Sequence, residues 1–171
     1  ELAAVLPQPG AGELRPVVYN SWYVTGFDVN EANQVAAAER AQQLGVEVFV
    51  MDDGWFGQRY TDYAGLGDWY VTPDKFPEGL GSMIARINGL GMKFGIWVEP
   101  EMVNPDSDLY RAHPDWVYHF PNRPNSEAYN QFTLNFSRPD VQAYIFDALD
   151  KLLGENHIEY LKWDMNRHFS E

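Results

Sequence analysis

The chain contains no cysteine, which excludes disulfides, thiolate metal ligands and a cysteine nucleophile. The redox compartment stays open on that ground, and a cytoplasmic home is the expectation. No apolar run approaches the roughly 20 residues that a membrane span needs. Residues 1–15 lack a basic start and a long apolar stretch, so no secretory leader is expected. Basic residues are scarce: 12 Lys and Arg stand against 25 Asp and Glu, a formal net charge of −13. That balance argues against nucleic acid or an anionic membrane as a partner, and its plainest meaning is solubility. No glycine-rich phosphate loop follows any predicted strand, which weakens a nucleotide-binding reading. Internal repeats of fixed period and low-complexity stretches are lacking too.

What is present is 45% hydrophobic content over 171 residues, enough for one domain with a real core. The chain begins at Glu1 and stops soon after its strongest motif, so it reads as a piece of something longer. Aromatic residues make up 15%, with 6 Trp, 10 Tyr and 10 Phe. Rings serve cores first, but sugar sites use them as well, because the C–H faces of pyranoses stack on them.

Pro7, Pro9, Gly10 and Gly12 mark residues 1–15 as a linker. A first strand is predicted over Arg15–Trp22. Asp28 and Glu31 have capping-box spacing and open a helix that Gly45 closes. Val46–Met51 is a second strand and Lys93–Val98 a third. Between them Leu80, Met83, Ile84, Ile87 and Leu90 fall at helical spacing, with Gly91 as the cap. Ser137 is the expected cap of a further helix that Gly154 ends, and Ile158–Trp163 is the fourth strand. Strands alternating with amphipathic helices imply parallel pairing. The predicted fold is α/β of (β/α) barrel type: four βα units over residues 16–171, half of an eightfold TIM barrel. A small open doubly wound sheet is the alternative. The connections 54–78 and 100–138 are long and rich in aromatics, and both follow the C-terminal end of a strand. They read as ordered functional loops.

Acidic residues follow three successive strands: Asp52-Asp53, then Glu99-Pro100-Glu101, then Asp164. One acidic residue at a strand end is usually a turn or cap residue, and Asp52-Asp53 can be read so before Gly54. Three in succession, each near a tryptophan (Trp55, Trp97, Trp163), point instead to a shared site. Alternation along a strand puts Lys162 and Asp164 on one face, and a nearby ammonium keeps a carboxylate ionised. Such a group suits nucleophilic attack or charge stabilisation. Gly95, Trp97 and Glu99 share a face, with the glycine expected to leave room beside the tryptophan. Clustered carboxylates with aromatic walls fit either glycoside hydrolysis or a hard-metal site. Lys162 and Arg167 favour the first, since they already balance charge. His113, His119, His157 and His168 show no ligand spacing, so no metal and no cofactor is predicted.

Seven blocks carry a resemblance: Asn20-Ser21-Trp22, Met51 to Gly57, Gly67-Asp68-Trp69, Lys75-Phe76-Pro77, Trp97 to Pro105, Phe136 to Pro139, and Lys162 to Arg167. In this order they resemble bacterial α-galactosidases of glycoside hydrolase family 36, from about residue 15 onward. The resemblance implies a retaining exo-glycosidase that removes terminal α-galactose from melibiose or raffinose. It makes Asp164 the nucleophile. Asp52 and Asp53 become ligands of galactose hydroxyls, Lys162 and Asn166 bind hydroxyls near the nucleophile, and Trp22 and Trp97 wall the pocket. Tyr129 stands where the family usually has an arginine, which implies weaker sugar binding. The family's acid/base aspartate lies on a later strand, so this chain alone is expected to hydrolyse little or nothing. Four strands cut from a barrel expose two edges, and homodimerisation through them is expected. A metal-dependent barrel lyase or isomerase and a non-enzymatic half-barrel scaffold are the competing readings.

Overall fold

The computed structural model describes residues 14–169, so residues 1–13 of the expected linker lie outside the described residues. In chain order the elements are β1 (Val18–Asn20), α1 (Trp22–Thr25), α2 (Glu31–Gln43), β2 (Val48–Met51), α3 (Gly81–Gly89) and β3 (Lys93–Val98). They continue with β4 (Met102–Val103), α4 (Asp108–Ala112), a 3₁₀ turn (Pro114–Trp116), β5 (Phe132–Thr133), α5 (Pro139–Glu155) and β6 (Tyr160–Trp163).

One four-stranded sheet has the order β1-β2-β3-β6, every pair parallel. Val50, Gly95 and Tyr160 lie side by side in one row, and Met51, Ile96 and Leu161 in the next. Because side chains alternate, the second row faces the helices. There Phe49, Met51, Phe94, Ile96 and Val98 join Val35 and Ala38 of α2, Met83, Ile84 and Ile87 of α3, and Val141, Ile145 and Leu152 of α5 in one buried cluster. At about 25 cal/mol per Å² of apolar surface, this layer is what holds the strands in register. Among the described residues no helix is long and apolar enough to cross a membrane.

The sheet and helices sit where the hydrophobic pattern put them, but several boundaries differ. Trp22 opens α1 rather than closing the first strand, and β1 itself keeps only Val18–Asn20. The capping box of α2 is Asn30 with Asn33, two residues past the expected pair. Asn30 is extended, so its Oδ1 accepts from the Asn33 N–H at 2.9 Å while Asn33 Oδ1 accepts from the Asn30 N–H at 3.1 Å. Ser137 does not cap α5: its hydroxyl donates to Asn135, and Pro139 supplies the first helical turn with a φ already suited to it. Nor does Gly154 end that helix, which runs on to Glu155. Gly45 and Gly91 do end theirs, at φ +78° and +84°.

The two long connections carry small elements of their own. β4 and β5 pair antiparallel. Asp68, from the first connection, accepts from the Asp108 and Leu109 N–H groups at 2.9 Å each and so caps α4 in the second. Trp55, Phe56 and Trp69 are buried, and Phe56 stacks on Trp97 with ring centroids 6.0 Å apart. Both loops are thereby part of the core and not appendages to it.

Candidate active site

The C-terminal ends of all four strands open into one cavity of about 990 Å³. Its walls include Trp22, Asp52, Asp53, Trp97, Lys162, Asp164 and Asn166, the residues to which the resemblance gives a role. The acidic tip of β3 does not join them: Glu99 is buried behind the wall, and Glu101 accepts from Trp163 Nε1 at 2.9 Å instead. Asp164 is held at the end of β6. Its Oδ2 accepts from Trp97 Nε1 at 2.8 Å and from Asn166 Nδ2 at 3.2 Å, and its Oδ1 accepts from the Met165 N–H at 3.0 Å. The side chain keeps 30% of its surface exposed, so a reacting atom can reach it.

Lys162 shares the face of Asp164, as alternation requires, with Nζ 4.0 Å from Oδ2. Its closer partner is Asp52, at 2.8 Å. The lysine therefore bridges two carboxylates from non-adjacent strands. Asp52 is fixed further by Asn20 Nδ2, which donates to the same oxygen, and by the hydroxyl of Ser21, which accepts from the Asp52 N–H. Trp22, half-buried, packs edge-on against Phe27 at the rim. The space at Gly95 is not part of the opening: a Cβ there would stand 2.9 Å from the Tyr160 ring, so the glycine makes room for its neighbour on β6.

Asp53 is more deeply enclosed. Arg59 grips it with two nitrogens, Nε to Oδ1 at 2.9 Å and Nη2 to Oδ2 at 2.8 Å. Burial pushes the Asp53 carboxyl above its usual range, and the guanidinium pulls it back. Arg59 in turn donates to Asn104 Oδ1 at 2.9 Å. Asn104, fully buried, also accepts from the Leu66 N–H and donates to the carbonyls of Asp62 and Asn130. One amide thus ties both long loops together at the cavity wall. Tyr129 lines the cavity from a tight turn in which it and Asn130 have φ of 53° and 61°. It is 71% exposed.

Sequence reasoning gave no role to Arg59, Asn104 or Gln131. Asn104 lies inside the Trp97–Pro105 block, Gln131 stands two residues past Tyr129, and Arg59 is a lone basic residue shortly after an acidic pair. Nothing in their spacing states the contact, because each partner comes from another loop. Among the described residues no group of three or more histidines or carboxylates is arranged to hold a metal ion.

The family model described as Melibiase matches residues 4–171. The chain belongs to the Melibiase family, glycoside hydrolase family 36. The α-galactosidase AgaA of Geobacillus stearothermophilus is 52% identical over 157 residues, covering 92% of this chain and 22% of that protein. α-Galactosidase 1 of Pediococcus pentosaceus is 50% identical, over 92% of this chain and 21% of its own length. A crystal structure of an AgaA variant in complex with raffinose superposes with a TM-score of 0.90 at 49% identity, covering 95% of this chain and 23% of that one. The chain therefore spans about a fifth of the length of the family members it matches.

The grip of Arg59 on Asp53 lends itself to a stability test. Both groups are nearly sealed, at 3% and 7% side-chain exposure, so removing one strands the other. Arg59→Leu is expected to cost about 3–5 kcal/mol by chemical denaturation, and adding Asp53→Asn to recover part of that loss. A loss below about 1 kcal/mol, the range of surface pairs, would contradict the assignment.

Proposed function

We propose that this chain forms the first half of the (β/α)8 catalytic barrel of a retaining α-galactosidase, and that Asp164 is its nucleophile. The observation that carries the reading is the setting of Asp164. It is held by the Trp97 indole at 2.8 Å with an ammonium at 4.0 Å, yet it stays partly open to the cavity. These contacts fix the carboxylate's orientation at the cavity, and the exposed remainder can approach a sugar. Raffinose, found in the AgaA complex, has a terminal α-galactose and fits the substrate class.

In the first step an Asp164 oxygen bonds to the anomeric carbon while the bond from that carbon to the leaving oxygen breaks. The leaving oxygen takes the electron pair and a proton from a second carboxyl. In the second step that carboxyl, now a base, takes a proton from water, whose oxygen displaces Asp164 from the anomeric carbon. Asp52, Asp53, Lys162 and Asn166 bind the galactose hydroxyls, and Trp22 and Trp97 wall the ring. The second carboxyl has to stand about 5–5.5 Å from the first. Glu99 does not suit that role, being fully buried with its oxygens committed to Asn166 and Gln131. The reading therefore takes the acid/base from the other four-fifths of the relatives' length.

In the protein that carries this chain, Asp164→Asn is expected to lower kcat on an aryl α-galactoside by about 10⁴–10⁶-fold. Retention of activity would overturn the reading. The chain by itself is expected to bind galactose without turnover, in an assay of released aglycone alongside calorimetry. Tyr129 supplies at most one neutral hydrogen bond to a sugar. Tyr129→Arg is expected to tighten galactose binding about tenfold, about 1.4 kcal/mol, and unchanged affinity by calorimetry would contradict that role.

Among the described residues β1 and β6 each leave one edge unpaired. When the chain stands alone, a second copy pairs β6 with β1 and closes eight strands. Light scattering at micromolar concentration is expected to report a dimer, and a stable monomer would refute it.

A further inference from the structure

Glu99 is a fully buried carboxyl inside the site that the proposed reaction leaves idle. Burial pushes its carboxyl above the usual range. Two residues donate to it. Asn166 donates its backbone N–H to Oε1 at 2.5 Å and its Nδ2 to Oε2 at 3.0 Å, and Gln131 donates its Nε2 to Oε2 at 3.3 Å. Gln131 is turned so that its own Oε1 is buried without a partner. An orphaned buried acceptor is destabilising, so the orientation is kept for the contact with Glu99.

The position explains the contact. The last backbone rung between β3 and β6 runs from the Asp164 N–H to the Val98 carbonyl at 2.8 Å. Pro100 follows, the chain leaves the sheet to pair as β4 with β5, and residues 164–169 carry no helix or strand. The Glu99 side chain receives the next inward N–H, that of Asn166, where a strand would have offered a carbonyl. The same carboxylate orients the Asn166 amide, whose Nδ2 also reaches Asp164 Oδ2 at 3.2 Å. Asn166 is otherwise on the exposed side of the chain, in a segment with no secondary structure of its own.

We infer that Glu99 is a positioning residue: its carboxylate extends the β3–β6 pairing one rung past the strands and sets Asn166, and through it Asp164, for attack. This rests on the reading of Asp164 as nucleophile. Glu99 touches no substrate, since it does not line the cavity.

The test is a double-mutant cycle in the protein that carries this chain, with kcat and KM measured separately on an aryl α-galactoside. Glu99→Gln is expected to lower kcat by about 10²-fold, the cost of a misplaced reacting group, with KM raised no further than in Asn166→Ala, because the other sugar ligands Asp52 and Asp53 are untouched. If Glu99 acts through Asn166, Glu99→Gln with Asn166→Ala is no slower than Asn166→Ala alone, to within a factor of about two. Additive losses, or a raised KM with kcat unchanged, would overturn the inference. Glu99→Asp keeps the charge but withdraws the carboxylate by about 1.5 Å, one C–C bond. It serves if the glutamine variant does not fold: the same kcat loss is expected, and wild-type kcat would overturn the inference. An active Asp164→Asn variant removes the nucleophile reading and this inference together, whereas additivity beside an inactive Asp164→Asn removes only the inference.

Discussion

Parallel register is the constraint on which the molecule depends. Val50, Gly95 and Tyr160 stand in one row, and two residues further along the same face come Asp52, Trp97 and Lys162. Asp164 follows at the next inward position of the β6 segment. Parallel strands deliver all their C-terminal ends to one side of a sheet, so residues more than a hundred positions apart meet there. Had one strand slipped by a single residue, its polar side chains would have turned into the helix layer. The apolar face packed on α2, α3 and α5 forbids that slip.

Above the sheet, the site is a continuous polar chain and not a set of separate ligands. It runs from Asn20 through Asp52 and Lys162 to Asp164, then through Asn166 to Glu99 and Gln131. A second branch runs from Asp53 through Arg59 to Asn104. Such networks hold their members rigidly where the groups are paired, and along this chain Gln131 Oε1 is the acceptor left without a partner. The aromatic layer of Phe56, Trp69 and Trp97 keeps water from one side of that chain. Trp97 belongs to both, stacked by its ring and bonded to Asp164 by its indole N–H.

Much of this was legible in the residues. The strand cores, the helix stripes and the glycine stops at Gly45 and Gly91 follow from local periodicity and backbone freedom, which act over a few residues. The facing of Lys162 and Asp164 follows from strand alternation alone. The boundaries read less well. Asn30 took the cap of α2 because its own backbone was extended there, and α5 passed through Gly154 because packing outweighs the roughly 1 kcal/mol that a glycine costs in a helix. Gly95 was misjudged for a different reason: its missing side chain serves Tyr160, and a strand's sequence does not name its neighbour.

By itself, then, the sequence determined the four main strands, the three helices between them, the parallel plan, the acidic tips of the strands and the family. These are set by short-range pattern and by motifs that survive as contiguous blocks. Only the tertiary structure decided that Lys162 stands nearer Asp52 than Asp164, that Arg59 holds Asp53, that Asn104 joins the two long loops, and that Glu99 faces Asn166 and not the cavity. Each of those is a contact between side chains of distant segments. Its existence depends on register, rotamer and loop path jointly, and no local stretch of chain encodes that combination.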